Sequence, residues 1–459
     1  MSVQGARAVA YDVLRAVSAD EAYANLLLPH TIARAGLDAK DAGLATELTY
    51  GTLRRRGTYD AVIAAAADRT VDRIDPAVLD ALRLGVHQLL STRVASHAAV
   101  NESVELARRH GGGRGAAGFA NAVLRRVSRD TPGEWFERVA DRARSDDERL
   151  GVLSSHPVWI VRALRRALTA EGCADELDAL LEADNAAPRV AMVALPGLAD
   201  PPDDATAGRY APTAFTTRGG DPEALITASA GRLRVQDEGS QLAALALSRA
   251  LPVSKGERWL DLCAGPGGKT ALLAAEALAH GARLDANEIV PARAGLVRQA
   301  VASVPLDVEV SEEDGRERAS RAAGEYDRIL VDAPCTGIGA LRRRPEARWR
   351  KTPADVPDLT ALQLELVLAA FSALTRGGVV AYVTCSPHLA ETAGVLAEVR
   401  RRLGDTAEEL DARAVLREIS VHDIDLPDQA DGSLRAQLWP HRHGTDAMSI
   451  ALLRKRPTV

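Results

Sequence analysis

Four cysteines occur in 459 residues, and two of them stand just past apolar runs that read as buried strands: Cys335 in VDAPCTG (331–337) and Cys385 in VTCS (383–386). One free cysteine in such a place is ordinarily a small buried hydrophobe. Two at strand ends point to nucleophilic chemistry, because a thiolate attacks carbon and a thiol can pass a proton. A third stretch, LDLCAGPGGKT (260–270), runs from an apolar strand into a glycine-rich turn and then a helix. Its glycines fall at 265, 267 and 268, a spacing that fits neither the dinucleotide GxGxxG nor a phosphate-binding P-loop. An acid, a tight turn and Lys269 suit a zwitterionic ligand with a carboxylate and no phosphate, such as S-adenosylmethionine. Glu288 ends the next strand-like run, where an acid accepts the hydroxyls of a bound ribose. Asp314, in EEDGRE, ends the third and is placed to reach an adenine amino group.

These residues need a scaffold that sets them side by side. From about residue 236 to 459, strand-like runs (RWLDL, RLDANE, DRILVDAP, VVAYVTCS) alternate with helix-like segments at 268–279, 291–302 and 360–374. Such alternation predicts right-handed βαβ units and a mostly parallel sheet covered on both faces, with ligands at the carboxyl ends of its strands. Residues 1–130 read as helical throughout. VLDALRLGVHQLL (78–90) repeats its apolar residues at three and four, and Asp75-Pro76 is a helix start. RRHGGGRGAAG (108–118) reads as a loop between helices. Residues 131–235 mix helix over 157–183 with short β-like runs, and the length predicts three domains, 1–130, 131–235 and 236–459.

Composition is ordinary for a globular chain, 46% apolar and 26% charged. The net charge of −6 hides a gradient: residues 1–130 carry +3 and the rest −9, while 337–351, GIGALRRRPEARWRK, hold six basic groups and one acid. That run beside Cys335 reads as a polyanion contact or a solvated face. No leader peptide and no apolar run long enough to cross a bilayer are expected. The scattered cysteines suggest neither a metal site nor a disulfide framework, which fits a reducing cytoplasm.

Taken together, LDLCAGPGGKT, VDAPCTG, RRRPEARW, VTCS and the lead-in RVQDEGSQLAALAL (234–247) resemble the motifs of the RNA 5-methylcytosine methyltransferases. ELTYGTLRRRGTYDAVI (47–63), HAAVNESVELAR (97–108) and GFANAVLRRV (118–127) resemble a NusB-like RNA-binding domain, a pairing typical of the bacterial 16S rRNA cytosine methyltransferases. The resemblance covers nearly the whole chain. It implies an all-α NusB-like domain followed by a Rossmann-like class I methyltransferase domain with a mostly parallel seven-stranded sheet. It also implies a monomer that needs no metal and no membrane, methylating 16S rRNA from S-adenosylmethionine. By position, Cys385 would attack carbon 6 of the cytosine, Cys335 would assist proton removal and release, and Asp332 would hydrogen-bond N3. Cys263, Ala264, Gly265, Pro266, Gly267, Gly268 and Lys269 would hold the cofactor, with Glu288, Arg293, Asp314 and Asp332. Arg342, Arg343, Arg344, Arg348 and Trp349 would contact RNA. A tRNA or another rRNA cytosine as target, or an RNA-binding assembly or antitermination adaptor without catalysis, are the readings that compete.

Overall fold

A computed structural model of the chain describes residues 5–457, apart from Glu21, Arg218, Gly220 and Asp221. The chain divides into two compact units. One comprises residues 1–162 with 181–187 and 341–351; the other comprises 163–180, 188–340 and 352–459. Where the sequence suggested a separate domain over 131–235, this stretch is shared between the two.

The first unit is helical. Its central helix, Pro76–Ser91, starts where Asp75 accepts hydrogen bonds from the backbone N–H groups of Ala77 and Val78, with proline in the first turn where no N–H is needed. The helix is buried nearly all round: Val78, Leu82, Val86 and Leu90 join the core formed by Val9, Val13, Leu48, Ile63 and Leu124. Each such side chain contributes roughly 1.5–3 kcal/mol through burial. Of RRHGGGRGAAG, read as a loop, only Gly111 to Gly113 form the turn; the rest belongs to the helices Ser96–His110 and Arg114–Val127 on either side.

The second unit holds two sheets. A small antiparallel one is built from β1 (Ala191–Ala194), β2 (Thr206–Ala207), β3 (Ala214–Thr216) and β4 (Leu233–Val235), in the order β2-β3-β1-β4. The large one contains β5 (Arg258–Asp261), β6 (Arg283–Asn287), β7 (Val308–Ser311), β8 (Tyr326–Asp332), β9 (Leu374–Thr384), β10 (Ala407–Leu410), β11 (Ala436–Gln437) and β12 (Ser449–Lys455). Its order is β10-β12-β9-β8-β5-β6-β7, with the short β11 added beside β12. The block from β9 to β7 is parallel, and β12 and β10 close one edge antiparallel. Chain direction across the sheet reverses between β5 and β8, the switch point at which open α/β sheets form a crevice.

Both faces of the large sheet are covered. Leu242, Leu245, Leu272 and Ala275 pack on the side of Leu330, Ala381 and Val383, while Leu366, Val367, Ala370 and Phe371 pack on the side of Val331, Val380 and Tyr382. The last four belong to the helix Val356–Ala373. With the turn before it (Pro353–Ala373, mean hydropathy 1.3) this segment is long and apolar enough by composition to cross a membrane. The expectation that no such run exists is thereby corrected. Its apolar character has a local cause, since this helix covers the sheet.

Candidate active site

The carboxyl ends of β5, β8 and β9 bring the singled-out residues together. β8 and β9 are neighbours in parallel register, Asp332 opposite Val383, so Cys335 and Cys385 leave adjacent strands in the same direction. Their sulfurs lie 3.5 Å apart. The contact with Cys385 and then burial push the Cys335 thiol well above its ordinary value. The loop behind them is closely packed. Gly339 donates its N–H to the Cys385 carbonyl at 2.9 Å, and its own carbonyl accepts from Ala447 N–H at 2.8 Å. A Cβ at 339 would stand 2.2 Å from the Ala447 oxygen and 2.8 Å from that of Cys385, so only glycine permits this approach.

Lys269, in the first turn of the helix Gly268–His280, donates to Asp332 at 2.7 Å. Burial works against its ammonium, but Asp332 outweighs burial and holds the lysine above its ordinary value, with Cys385 and Asp261 acting in the same direction. Lys269 thus feels both Asp332 and Cys385. Beneath it Asp261 is buried and accepts from the Thr270 hydroxyl at 2.7 Å. Burial first, and then the nearby Asp332, raise its carboxyl to about 7.

The glycine turn faces Glu288. This buried carboxylate accepts from the N–H groups of Gly265 (3.1 Å) and Val290 (2.9 Å) and pairs with Arg293 at 2.7 Å. A Cβ at 265 would fall 2.4 Å from the Glu288 carboxylate, and one at 267, where φ is +98°, would meet Ala300 and Val297, so glycine lets this turn close down on the residues around the cradle. Cys263 lies inside it, and burial pushes its thiol far up, leaving its backbone as the useful part.

The family comparisons agree with this arrangement. A model described as 16S rRNA methyltransferase RsmB/F matches residues 248–454, and the NusB family matches residues 4–129. The ribosomal RNA small subunit methyltransferase B of Pseudomonas putida is 33% identical over 427 residues, covering 90% of this chain and 93% of that one. The chain belongs to the RsmB/F family. Rv1407 of Mycobacterium tuberculosis is 48% identical over 456 residues, covering 98% of this chain and 96% of that one. The crystal structure of PH0851 shares the fold, with a TM-score of 0.80 at 20% identity over 99% of each chain. As an RsmB/F member the chain is an RNA methyltransferase of the S-adenosylmethionine-dependent class, and its helical unit is a NusB domain.

Within this RsmB/F chain, other expected residues have different surroundings. Asp314 caps the helix Gly315–Arg321, and both its oxygens are engaged by Arg316, which first among its neighbours holds the carboxyl below its ordinary value. The basic run is the larger departure. Residues 341–351 belong to the helical unit, where Arg348 is fully buried and donates to the carbonyls of Arg54 (2.7 Å), Ser155 (3.3 Å) and Asp184 (2.9 Å) and to Asn185 (2.8 Å). The expectation that Arg348 contacts RNA is corrected: the side chain is fully buried and both terminal nitrogens donate to the protein. Trp349 packs over Gly57 with Arg56 above its ring, and Arg342 is buried as well. Arg344 is exposed and lies over the Tyr23 ring. Cys173, without a role in the sequence reading, is buried away from these strand ends and donates to the Glu171 carbonyl. Among the described residues no group of three or more His, Cys, Asp or Glu is arranged to hold a metal ion.

Two residues escaped the sequence reading. Gln236, in the RVQDEGSQ motif, is buried with both carboxamide atoms unpartnered, and its side chain lies 3.8 Å from where a Cβ of Gly268 would be. Glu391, fully buried, binds the residues that follow both cysteines. For Gln236 a signal existed, a polar residue between β4 and a helix start. For Glu391 there was none.

Proposed function

We propose that the chain methylates carbon 5 of a cytosine in 16S rRNA through a covalent adduct on Cys385. The observation that carries this reading is the pair of sulfurs 3.5 Å apart at adjacent strand ends, beside the glycine cradle. Carbon 5 of cytosine is too weak a nucleophile to be methylated unaided. Addition of the Cys385 thiolate to carbon 6 turns it into an enamine carbon. Asp332, which accepts from Lys269, holds a proton against cytosine N3, and that bridging proton offsets the negative charge that forms on the ring on attack. Once carbon 5 has taken up the methyl group, Cys335 assists in removing the proton that carbon still carries, after which the Cys385–carbon 6 bond breaks and the thiolate leaves.

The cradle fits S-adenosylmethionine, which when bound supplies the methyl group. Glu288, packed against the glycine turn, offers a carboxylate to ribose hydroxyls, and Gln236 brings an unpartnered carboxamide beside Gly268. The target base has to leave its stack to reach the sulfurs. Agreement with the small-subunit methyltransferase of Pseudomonas putida over both units favours 16S rRNA as the substrate.

The reading is tested by giving labelled S-adenosylmethionine to the protein with naked 16S rRNA, assembled small subunits and bulk tRNA, and analysing the labelled nucleoside. It expects 5-methylcytosine at one position of 16S rRNA. Label in ribose or in another base would overturn the chemistry, and label in tRNA alone would overturn the substrate.

A further inference from the structure

Glu391 lies in a π-helical turn, Ala390–Gly394, just beyond Cys385, and its side chain is fully buried. A buried carboxylate persists only where hydrogen bonds replace water. Here all of its ligands come from the loops that carry the thiols or from the helix behind them. One oxygen accepts from the Thr336 N–H at 2.7 Å and from the Gln363 carboxamide at 3.1 Å. The other accepts from the Thr336 hydroxyl at 2.5 Å and the Ser386 hydroxyl at 2.6 Å. Thr336 directly follows Cys335, and Ser386 directly follows Cys385. The two hydroxyls are also 3.0 Å from each other. Gln363 donates to the Pro334 carbonyl as well, and the Tyr382 hydroxyl donates both to Gln363 and to the Glu391 carbonyl.

We propose that Glu391 is a positioning residue that clamps the Cys335 and Cys385 loops together and so sets the distance between the two thiols. This rests on the reading of those cysteines as the reacting pair. The clamp works through geometry. Each cysteine is one bond away from a residue that Glu391 holds, so a change at the carboxylate moves both sulfurs. π-turns of this kind occur often at functional sites, where they aim a side chain that a regular helix would misdirect.

The test compares Glu391→Ala, Glu391→Gln and the double variant Thr336→Val/Ser386→Ala in the full-length protein. Two quantities are read: single-turnover methyl transfer to 16S rRNA, and the rate at which diamide joins the two thiols. In the second, each thiol gives up a proton and an electron, and diamide takes up both pairs to become the hydrazine. Glu391→Ala is expected to lower the transfer rate by about a hundredfold. It leaves the apparent affinities for RNA and S-adenosylmethionine nearly unchanged and slows disulfide formation. Glu391→Gln keeps an acceptor for Thr336 N–H and recovers a large part of both rates. If Glu391→Ala does not fold, the double variant, which keeps the carboxylate and removes only the two hydroxyls, is expected to slow both reactions by about tenfold. Transfer and disulfide rates equal to wild type in a folded Glu391→Ala protein, or in the double variant, would overturn the clamp. If wild type forms no 5-methylcytosine, the proposed reaction fails, while the disulfide rate still judges the clamp.

Discussion

At the residue scale, the site gathers charged groups whose ordinary states burial opposes. Asp261 illustrates the cost. Its carboxyl stands near 7 in the fold against 3.8 when exposed, so the folded chain holds a proton there that the unfolded chain has released. Its contribution to stability is present below about 3.8 and is lost as pH rises through about 7. Asp261→Asn keeps an acceptor for the Thr270 hydroxyl and removes this penalty. Melting temperatures should show the variant more stable by about 2 kcal/mol at pH 8 and by much less at pH 5. A difference independent of pH would contradict this. Asp332→Asn tests the chemistry instead. It takes the charge from beside Lys269 and the transferable proton from cytosine N3, and single-turnover transfer should fall by about 10²–10³-fold. A loss within about threefold would remove Asp332 from the reaction. Asp332, Cys335 and Cys385 stand out in the sequence because they follow apolar strand runs, whereas Glu288 and Asp314 stand out only by their order after the glycine turn. Glu391 was not, because one glutamate in a helical stretch looks like any solvated acid until the fold turns it inward.

Among elements, the strands of the parallel block were legible and the edges were not. VVAYV (379–383) is a continuous apolar run, as a strand buried on both faces must be, and RWLDL carries Trp259 and Leu260 between its polar residues. β10, with the sequence Ala-Glu-Glu-Leu, lies at the sheet edge; Glu408 faces water while Glu409 turns in to accept from the Leu434 N–H, and no apolar pattern marks a strand. Loops behind the site are under closer constraint than their composition suggests. Gly339→Ala drives a methyl into two backbone carbonyls that have no room to yield. It should destabilise the catalytic unit by about 1–3 kcal/mol and displace Cys385, so activity falls along with the melting temperature. Normal activity and stability would show that the loop gives way. In the helical unit, His87 on the helix Pro76–Ser91 is buried beside the Tyr59 hydroxyl at 2.9 Å. Burial first, then Arg54 and Arg55, lower it to about 4 from 6.5. The unfolded chain therefore binds a proton in that window that the folded one refuses, and stability present above about 6.5 is lost as pH falls toward about 4. His87→Asn, which keeps an acceptor for Tyr59, should recover up to about 3 kcal/mol of that loss, read as a shallower fall of melting temperature with pH. An unchanged slope would contradict it.

For the whole molecule, charge counting proved a poor guide to surface. The sequence reading placed Arg348 against RNA because six basic groups crowd into fifteen residues beside Cys335. In the fold that guanidinium fills a nest of carbonyls in the helical unit, and burial lowers it to about 10. Composition cannot reveal this, since the acceptors come from residues 54, 155, 184 and 185, distant in sequence. Arg348→Ala should thus cost the helical unit about 3–5 kcal/mol by leaving those acceptors unpaired, with RNA affinity of the folded protein unchanged in filter binding. A stable variant with weakened, less salt-dependent RNA binding would restore the first reading. The two-part organisation itself was legible, since a helical period gives way to strand-helix alternation. The measurement that tests the central claim most directly is denaturing gel electrophoresis and peptide mass spectrometry of Cys335→Ala incubated with 16S rRNA and S-adenosylmethionine. The account predicts an RNA-linked band whose crosslinked peptide carries the base on Cys385, and no band in Cys335→Ala/Cys385→Ala. Absence of any adduct together with full methyl transfer by Cys385→Ala would contradict it.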